Sequence, residues 1–141
     1  MGETGENAGA NPRAKPGGKT VIVVEDERNI IEAISFILSR DGWDVKTHSN
    51  GHDAVEAVRA RAPDLVILDV MLPGKSGFDI LQDMRKDAEL ANIPVLMLTA
   101  RGQERDREMA ERAGADRYMT KPFSNTEVLE AVRGLVGDIS E

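Results

Sequence analysis

Five side chains in this sequence could do chemistry together: Glu25, Asp26, Asp69, Thr99 and Lys121. They close four short runs of strand length, Val21-Ile22-Val23-Val24-Glu25-Asp26, Leu65-Val66-Ile67-Leu68-Asp69, Pro94-Val95-Leu96-Met97-Leu98-Thr99 and Arg117-Tyr118-Met119-Thr120-Lys121-Pro122. Short apolar runs suit strands buried on both faces of a parallel sheet, and ligands bind in the crevice outside the carboxyl edge of such a sheet. Carboxylates facing one hydroxyl and one ammonium there form a site for a divalent cation and a phosphoryl group. Gathered alone, the acids would repel one another. A hard cation with oxygen ligands removes the conflict, and Mg2+, which keeps several waters, needs only one or two carboxylates. Acids also favour helix N-termini without any ligand, which explains any one of them but not Lys121 and Thr99 at the ends of other strands. Asp69, on a central strand, is the candidate nucleophile, because a carboxylate can form an aspartyl-phosphate. Lys121 would pair with it as a point charge, and Thr99 would offer its hydroxyl to a phosphoryl oxygen.

The elements that must position these groups alternate from Lys19 onward. Ile30, Ala33, Ile34, Ile37 and Leu38 mark one face of a first helix. A weaker strand over 44–48 follows, then a helix marked by Ala54, Val55, Val58 and Ala62 that stops before Pro63. After Asp69 comes a loop, Met71 to Gly77, and a helix carrying Phe78, Leu81 and Met84. Pro94 opens the fourth strand. A charged helix over about 103–113 is ended by Gly114, and the last helix, with Val128, Leu129, Val132, Leu135 and Val136, starts at a Ser124-x-x-Glu127 capping box. Five strand–helix repeats predict an α/β fold, a (βα)5 doubly wound parallel sheet. The polar second strand suits an edge, and the two acid-bearing strands should meet at the switch point, which gives strand order 2-1-3-4-5. Lys121-Pro122 sits in a tight strand-to-helix turn and is a candidate cis peptide, which would aim Lys121 inward.

With 141 residues the chain allows one domain with a sizeable core. A net charge of −7 argues against direct DNA binding, which needs a basic face. There are no cysteines, so disulfides and thiolate metal sites are ruled out. No apolar run approaches the ~18 residues of a membrane span, and no secretory signal is apparent, so a cytoplasmic location is expected. Residues 1–18, rich in Gly and Pro, are expected to form a flexible tail. Residues 19–137 are expected to form the domain, and 138–141 a short tail with no room for an output domain.

At this point the residues resemble the receiver domain of bacterial two-component response regulators, a stand-alone one with the flavodoxin-like or CheY-like fold. The matching pieces are Val-Val-Glu25-Asp26-Glu, Leu-Asp69-Val-Met-Leu-Pro73-Gly74, Leu-Thr99-Ala100-Arg and Tyr118-Met-Thr-Lys121-Pro122-Phe. The resemblance implies that Asp69 takes a phosphoryl group from the phosphohistidine of a sensor histidine kinase. It implies that Glu25, Asp26, Asp69 and the main-chain carbonyl of Met71 bind Mg2+, with Asp26 the direct ligand and Glu25 acting through water. Thr99 and Lys121 then hold the phosphate, and Thr99 and Tyr118 report it to the face of the fourth helix, fifth strand and fifth helix. Slow hydrolysis resets the switch, with Met71 and Arg101 tuning its rate. The charged fourth helix is expected to be both solvated and part of the output surface. The kinase is expected to dock on the first helix, around Ile30 to Ile37. His48 and His52 are expected away from the pocket, as surface residues. One departure is Asp116-Arg117, where an acidic pair usually stands in a DNA-binding subgroup; Arg117 argues against that subgroup's symmetric dimer.

The implied function is a phosphoacceptor switch that is not itself an enzyme and acts through an unknown downstream protein target. An alternative is a phosphorelay intermediate that exchanges phosphate with a histidine phosphotransferase, using the same site. An aspartyl-phosphate hydrolase of the haloacid dehalogenase kind would need a second Asp two residues after the nucleophile, where Met71 stands. A flavodoxin-like cofactor binder would need a hydroxyl-rich phosphate loop where Glu25-Asp26-Glu27 would repel phosphate.

Overall fold

A computed structural model describes residues 19–100 and 104–137. The two expected tails and Arg101 lie outside the described residues. Five strands and five helices alternate: β1 Thr20–Val24, α1 Arg28–Arg40, β2 Asp44–His48, α2 Ala54–Arg61, β3 Leu65–Asp69, α3 Gly77–Lys86, β4 Val95–Ala100, α4 Glu104–Ala113, β5 Arg117–Lys121 and α5 Asn125–Val136. The sheet is parallel throughout, in the order β2-β1-β3-β4-β5, as the spacing of acidic strand ends predicts. Polarity sorts the strands. All five residues of β3 are buried, whereas β2 and β5, the polar strands, lie at the edges.

The period-2 alternation of each strand supplies two core layers. Val21, Val23, Leu65, Ile67, Leu96 and Leu98 face one side, where Ile34, Ile37 and Leu38 of α1 and Val128 and Val132 of α5 cover them, with Trp43 fully buried among them. Ile22, Val24, Val66, Leu68, Val95 and Met97 face the other, under Ala54 and Val58 of α2, Ile80, Leu81 and Met84 of α3 and Ala110 of α4. Full burial of each large aliphatic side chain contributes about 1.5–3 kcal/mol, so both layers are needed to hold the strand ends in register. Ala33, expected on the covered face of α1, is exposed. Its methyl lies at the margin of a stripe that Ile34, Ile37 and Leu38 already fill.

Helix ends follow local chemistry. Ser124 and Glu127 form the reciprocal capping box of α5, with Ser124 N–H donating to Glu127 Oε1 at 2.7 Å and Glu127 N–H to Ser124 Oγ at 3.1 Å. Ser76 Oγ accepts from Asp79 N–H at the start of α3. The Lys121–Pro122 peptide is cis. Among the described residues no helix is long and apolar enough to cross a membrane.

Candidate functional site: an acidic pocket at the carboxyl edge

The carboxyl ends of β1, β3, β4 and β5 carry the expected residues to one edge. Glu25 and Asp26 follow β1, Asp69 ends β3, Thr99 is the penultimate residue of β4 and Lys121 ends β5. Glu25 and Asp69 are buried and Asp26 is exposed at the rim; one carboxylate oxygen from each lies within 4.8 Å of the others. Lys121 Nζ reaches across to Asp69 Oδ1 at 3.1 Å and Glu25 Oε1 at 3.0 Å. Thr99 is buried, one step past the level at which Asp69 pairs with Leu98. Tyr118 is not in the pocket. It lies beside Met97 in the sheet register, half-buried, with the Arg107 guanidinium 4.8 Å above its ring.

Burial and charge shape the ionisation of this cluster. Burial pushes the Glu25 carboxyl up from its ordinary 4.5 to about 7; the Asp69 charge pushes the same way, and the Glu27 amide and Lys121 oppose it. Burial also raises Asp69 above its ordinary value, against the opposing charge and hydrogen bond of Lys121 and smaller contributions from Glu25 and the Met71 amide. The Lys121 ammonium is disfavoured by burial, but hydrogen bonds to Glu27 and Glu25 and the charge of Asp69 outweigh this and hold it above its usual value. One lysine thus faces more carboxylate than it can neutralise.

Glu25 Oε2 accepts the amides of Asp26 and Glu27, each at 3.1 Å, in the turn that leads into α1. Its Oε1 is buried and faces the Lys121 ammonium at 3.0 Å, with no other hydrogen-bond donor. A buried oxygen whose one donor is shared with Asp69 and Glu27, beside two more carboxylates, fits a divalent cation in its donor chemistry. The residues that could hold it are Glu25, Asp26 and Asp69, with the Met71 carbonyl implied only by resemblance. The Met71 side chain is 74% exposed and leaves the pocket.

Two participants escape the sequence reading. Glu27, counted only as a repelling charge, begins α1 without a side-chain cap and instead binds Lys121 at 2.9 Å. The signal was a third consecutive acid after β1. His48, expected away from the pocket, closes β2 at the same edge, and its carbonyl accepts the Glu25 N–H at 2.9 Å. Its ring pairs with Asp53 at 2.7 Å, away from the acidic cluster. Gly77 is needed where it stands: a Cβ there would fall 2.2 Å from the Asp69 carbonyl oxygen.

A family profile, the response regulator receiver domain, matches residues 21–133. The chain belongs to the response regulator receiver domain family. It is a receiver domain of the two-component type. Solved structures agree with that assignment. A chain described as a response regulator from Chloroflexus aurantiacus is 31% identical, with 85% of this chain and 97% of that one covered and a TM-score of 0.80. The receiver domain of the sensor histidine kinase PA1611 from Pseudomonas aeruginosa, which has a magnesium ion coordinated in its active-site cleft, is 26% identical over 84% and 98% of the chains, with a TM-score of 0.78. The chemotaxis protein CheY4 of Vibrio cholerae is 25% identical over 84% and 98%, with a TM-score of 0.77.

Proposed function

We propose that this receiver domain is a phosphoacceptor switch in which Asp69 is the residue phosphorylated. The observation that carries the reading is the contact of one ammonium, Lys121, with two buried acids, Asp69 and Glu25, at a sheet edge where a third acid, Asp26, completes a cation site. A carboxylate oxygen of Asp69 attacks the phosphorus of a phosphohistidine on a sensor histidine kinase or histidine phosphotransferase. The P–N bond breaks, and the imidazole leaves with its electron pair. Lys121, freed of part of its pairing with Asp69, follows the negative charge onto the phosphoryl oxygens, and the buried Thr99 hydroxyl donates to one of them. Glu25, Asp26, Asp69 and the Met71 carbonyl would hold a Mg2+ ion, which would supply charge neutralisation for phosphoryl transfer. Thr99 and Tyr118, on neighbouring strands, carry the change to the α4–β5–α5 face, where a downstream protein binds.

The chain is a substrate of this transfer and not an enzyme with turnover of its own, apart from slow loss of the phosphoryl group. The position two residues after Asp69 holds Met71, which has no proton to give. The decisive experiment is labelling with an acyl phosphate donor and Mg2+. The parent should take up one phosphoryl group, with no uptake when Mg2+ is chelated beforehand, and Asp69→Asn should take up none. Undiminished labelling of Asp69→Asn would overturn the assignment. Back-transfer to a histidine phosphotransferase would instead identify a relay.

A further inference from the structure

The loop that follows Asp69 is fastened at both ends by close backbone approaches. At its base, Gly77 N–H donates to the Val70 carbonyl at 2.9 Å. At its tip it meets the connection between β2 and α2. Gly51 N–H donates to the Pro73 carbonyl at 2.9 Å, and a Cβ on Gly51 would fall 2.1 Å from the Lys75 carbonyl oxygen and 2.9 Å from its nitrogen. No side chain fits into that gap, because the obstacle is backbone. The fit continues on both sides. Gly74, at φ +89, has Asn50 Oδ1 2.9 Å from where its Cβ would be, and the same Asn50 oxygen accepts the His52 N–H at 2.6 Å. Gly51 itself is buried. Leu72, partly buried against the second core layer, anchors the loop from beneath. Met71, whose amide reaches Asp69, lies between these fixed points.

We propose that Gly51 is a positioning residue for the cation site, acting through the Pro73–Lys75 backbone to seat the Met71 main chain beside Asp69. This rests on the phosphoacceptor reading above, since it assumes that the Met71 main chain takes part in the site. Gly51 touches none of the candidate ligands. Its contribution is the absence of a side chain, which lets one loop close on another. Groups that orient metal ligands from outside the coordination sphere alter affinity by about 10- to 100-fold when changed.

The test is Mg2+ binding by calorimetry and by amide NMR, with no phosphodonor, on the folded protein. Gly51→Ala is expected to weaken Mg2+ binding by about 10-fold and to displace the Met71 amide resonance in the metal-free state. Emission from buried Trp43, in the opposite core layer, should stay that of the parent. Ile37→Val, remote from the edge, lowers stability without touching the loop and should bind Mg2+ like the parent. Should Gly51→Ala fail to fold, Asn50→Ala, which removes the oxygen lodged between Gly74 and His52, is expected to weaken binding in the same direction. Parent-like Mg2+ affinity in a folded Gly51→Ala, or in Asn50→Ala when Gly51→Ala does not fold, would overturn the proposal. A parent that binds no Mg2+ would instead sink the cation site itself.

Discussion

With no accessible surface, Glu25 ionises only as far as Lys121 and two amides offset its lost hydration, and Asp69 beside it opposes that ionisation. The sign of the consequence follows from linkage. Between 4.5 and about 7 the folded protein retains a proton that the unfolded chain has released, so stability present below that interval is lost as pH rises through it. The melting temperature of metal-free protein should therefore fall across this window, by the equivalent of on the order of 3 kcal/mol if Glu25 acts alone. Asp69, also raised, adds to the slope. Glu25→Gln should flatten the profile and raise the metal-free melting temperature above the window, and it should weaken Mg2+ binding; an unchanged slope in this variant would mean that Glu25 does not carry the effect. Lys121→Met leaves two buried acids facing each other and should cost about 3 kcal/mol in metal-free denaturant titrations, with part of the loss restored by Mg2+. Glu27→Gln removes only an exposed partner and should cost under about 1 kcal/mol.

Among the elements, the join between α3, β4 and β5 depends on one guanidinium. Arg85, near the end of α3, donates to the carbonyls of Ala91, Ile93 and Gly114 at 3.0, 2.9 and 3.0 Å and to Asp116 Oδ2 at 2.8 Å; that oxygen also accepts the Val95 N–H. Arg59 makes three ion pairs, to Glu56, Asp87 and Glu89, against the single ion pair of Arg85, but its guanidinium is more exposed and holds no backbone carbonyl. Counting ion pairs would rank Arg59 first, whereas desolvation reverses the order. Arg85→Met strands three carbonyls and should lower unfolding free energy by about 2–4 kcal/mol. Arg59→Met should lower it far less in the same denaturant titration. Asp116 is thus engaged inside its own chain, and Arg117 lies with Nη1 2.8 Å from where a Gly134 Cβ would be. What sequence could and could not convey divides along similar lines. Strand order and pocket membership were legible because apolar runs and their charged last residues are one-dimensional signals of burial and sheet edge. The capping box was legible for the same reason, as Ser124 and Glu127 are three residues apart. The Arg85 hub, the Glu27–Lys121 pair and the Gly51 approach were not, since each joins residues far apart in sequence, and even the third consecutive acid at Glu27 does not point to its partner. The exposure of Ala33 shows the limit of periodicity, which locates a stripe but not its margins.

Over the whole molecule, the pocket and the Tyr118 face are joined by adjacent strands. Asp69 pairs with Leu98, Met97 with Tyr118 and Thr99 with Thr120, so a displacement at the end of β4 meets β5 within one register step. The helices divide to match: α4, with Arg107 over the Tyr118 ring, belongs to the layer shared with α2 and α3, whereas α1 and α5 cover the other face. A phosphoryl group at Asp69 should accordingly perturb the molecule unevenly. Beryllofluoride with Mg2+, which stands in for the phosphoryl group, should move amide resonances at Asp69 and Thr99, then at Met97, Tyr118 and along α4, and leave β2 and the end of α1 near Trp43 in place. Binding to the folded state alone should also raise stability by about 2.7 kcal/mol at a ligand concentration of 100 times Kd. Thr99→Ala separates the two ends of this path. It removes the hydroxyl that would follow the phosphoryl oxygen, so beryllofluoride should still bind at Asp69 while the shifts at Tyr118 and α4 shrink. Full-sized shifts at Tyr118 in that variant would show that the signal reaches β5 by another route, with Lys121, the last residue of the same strand, as the remaining connection.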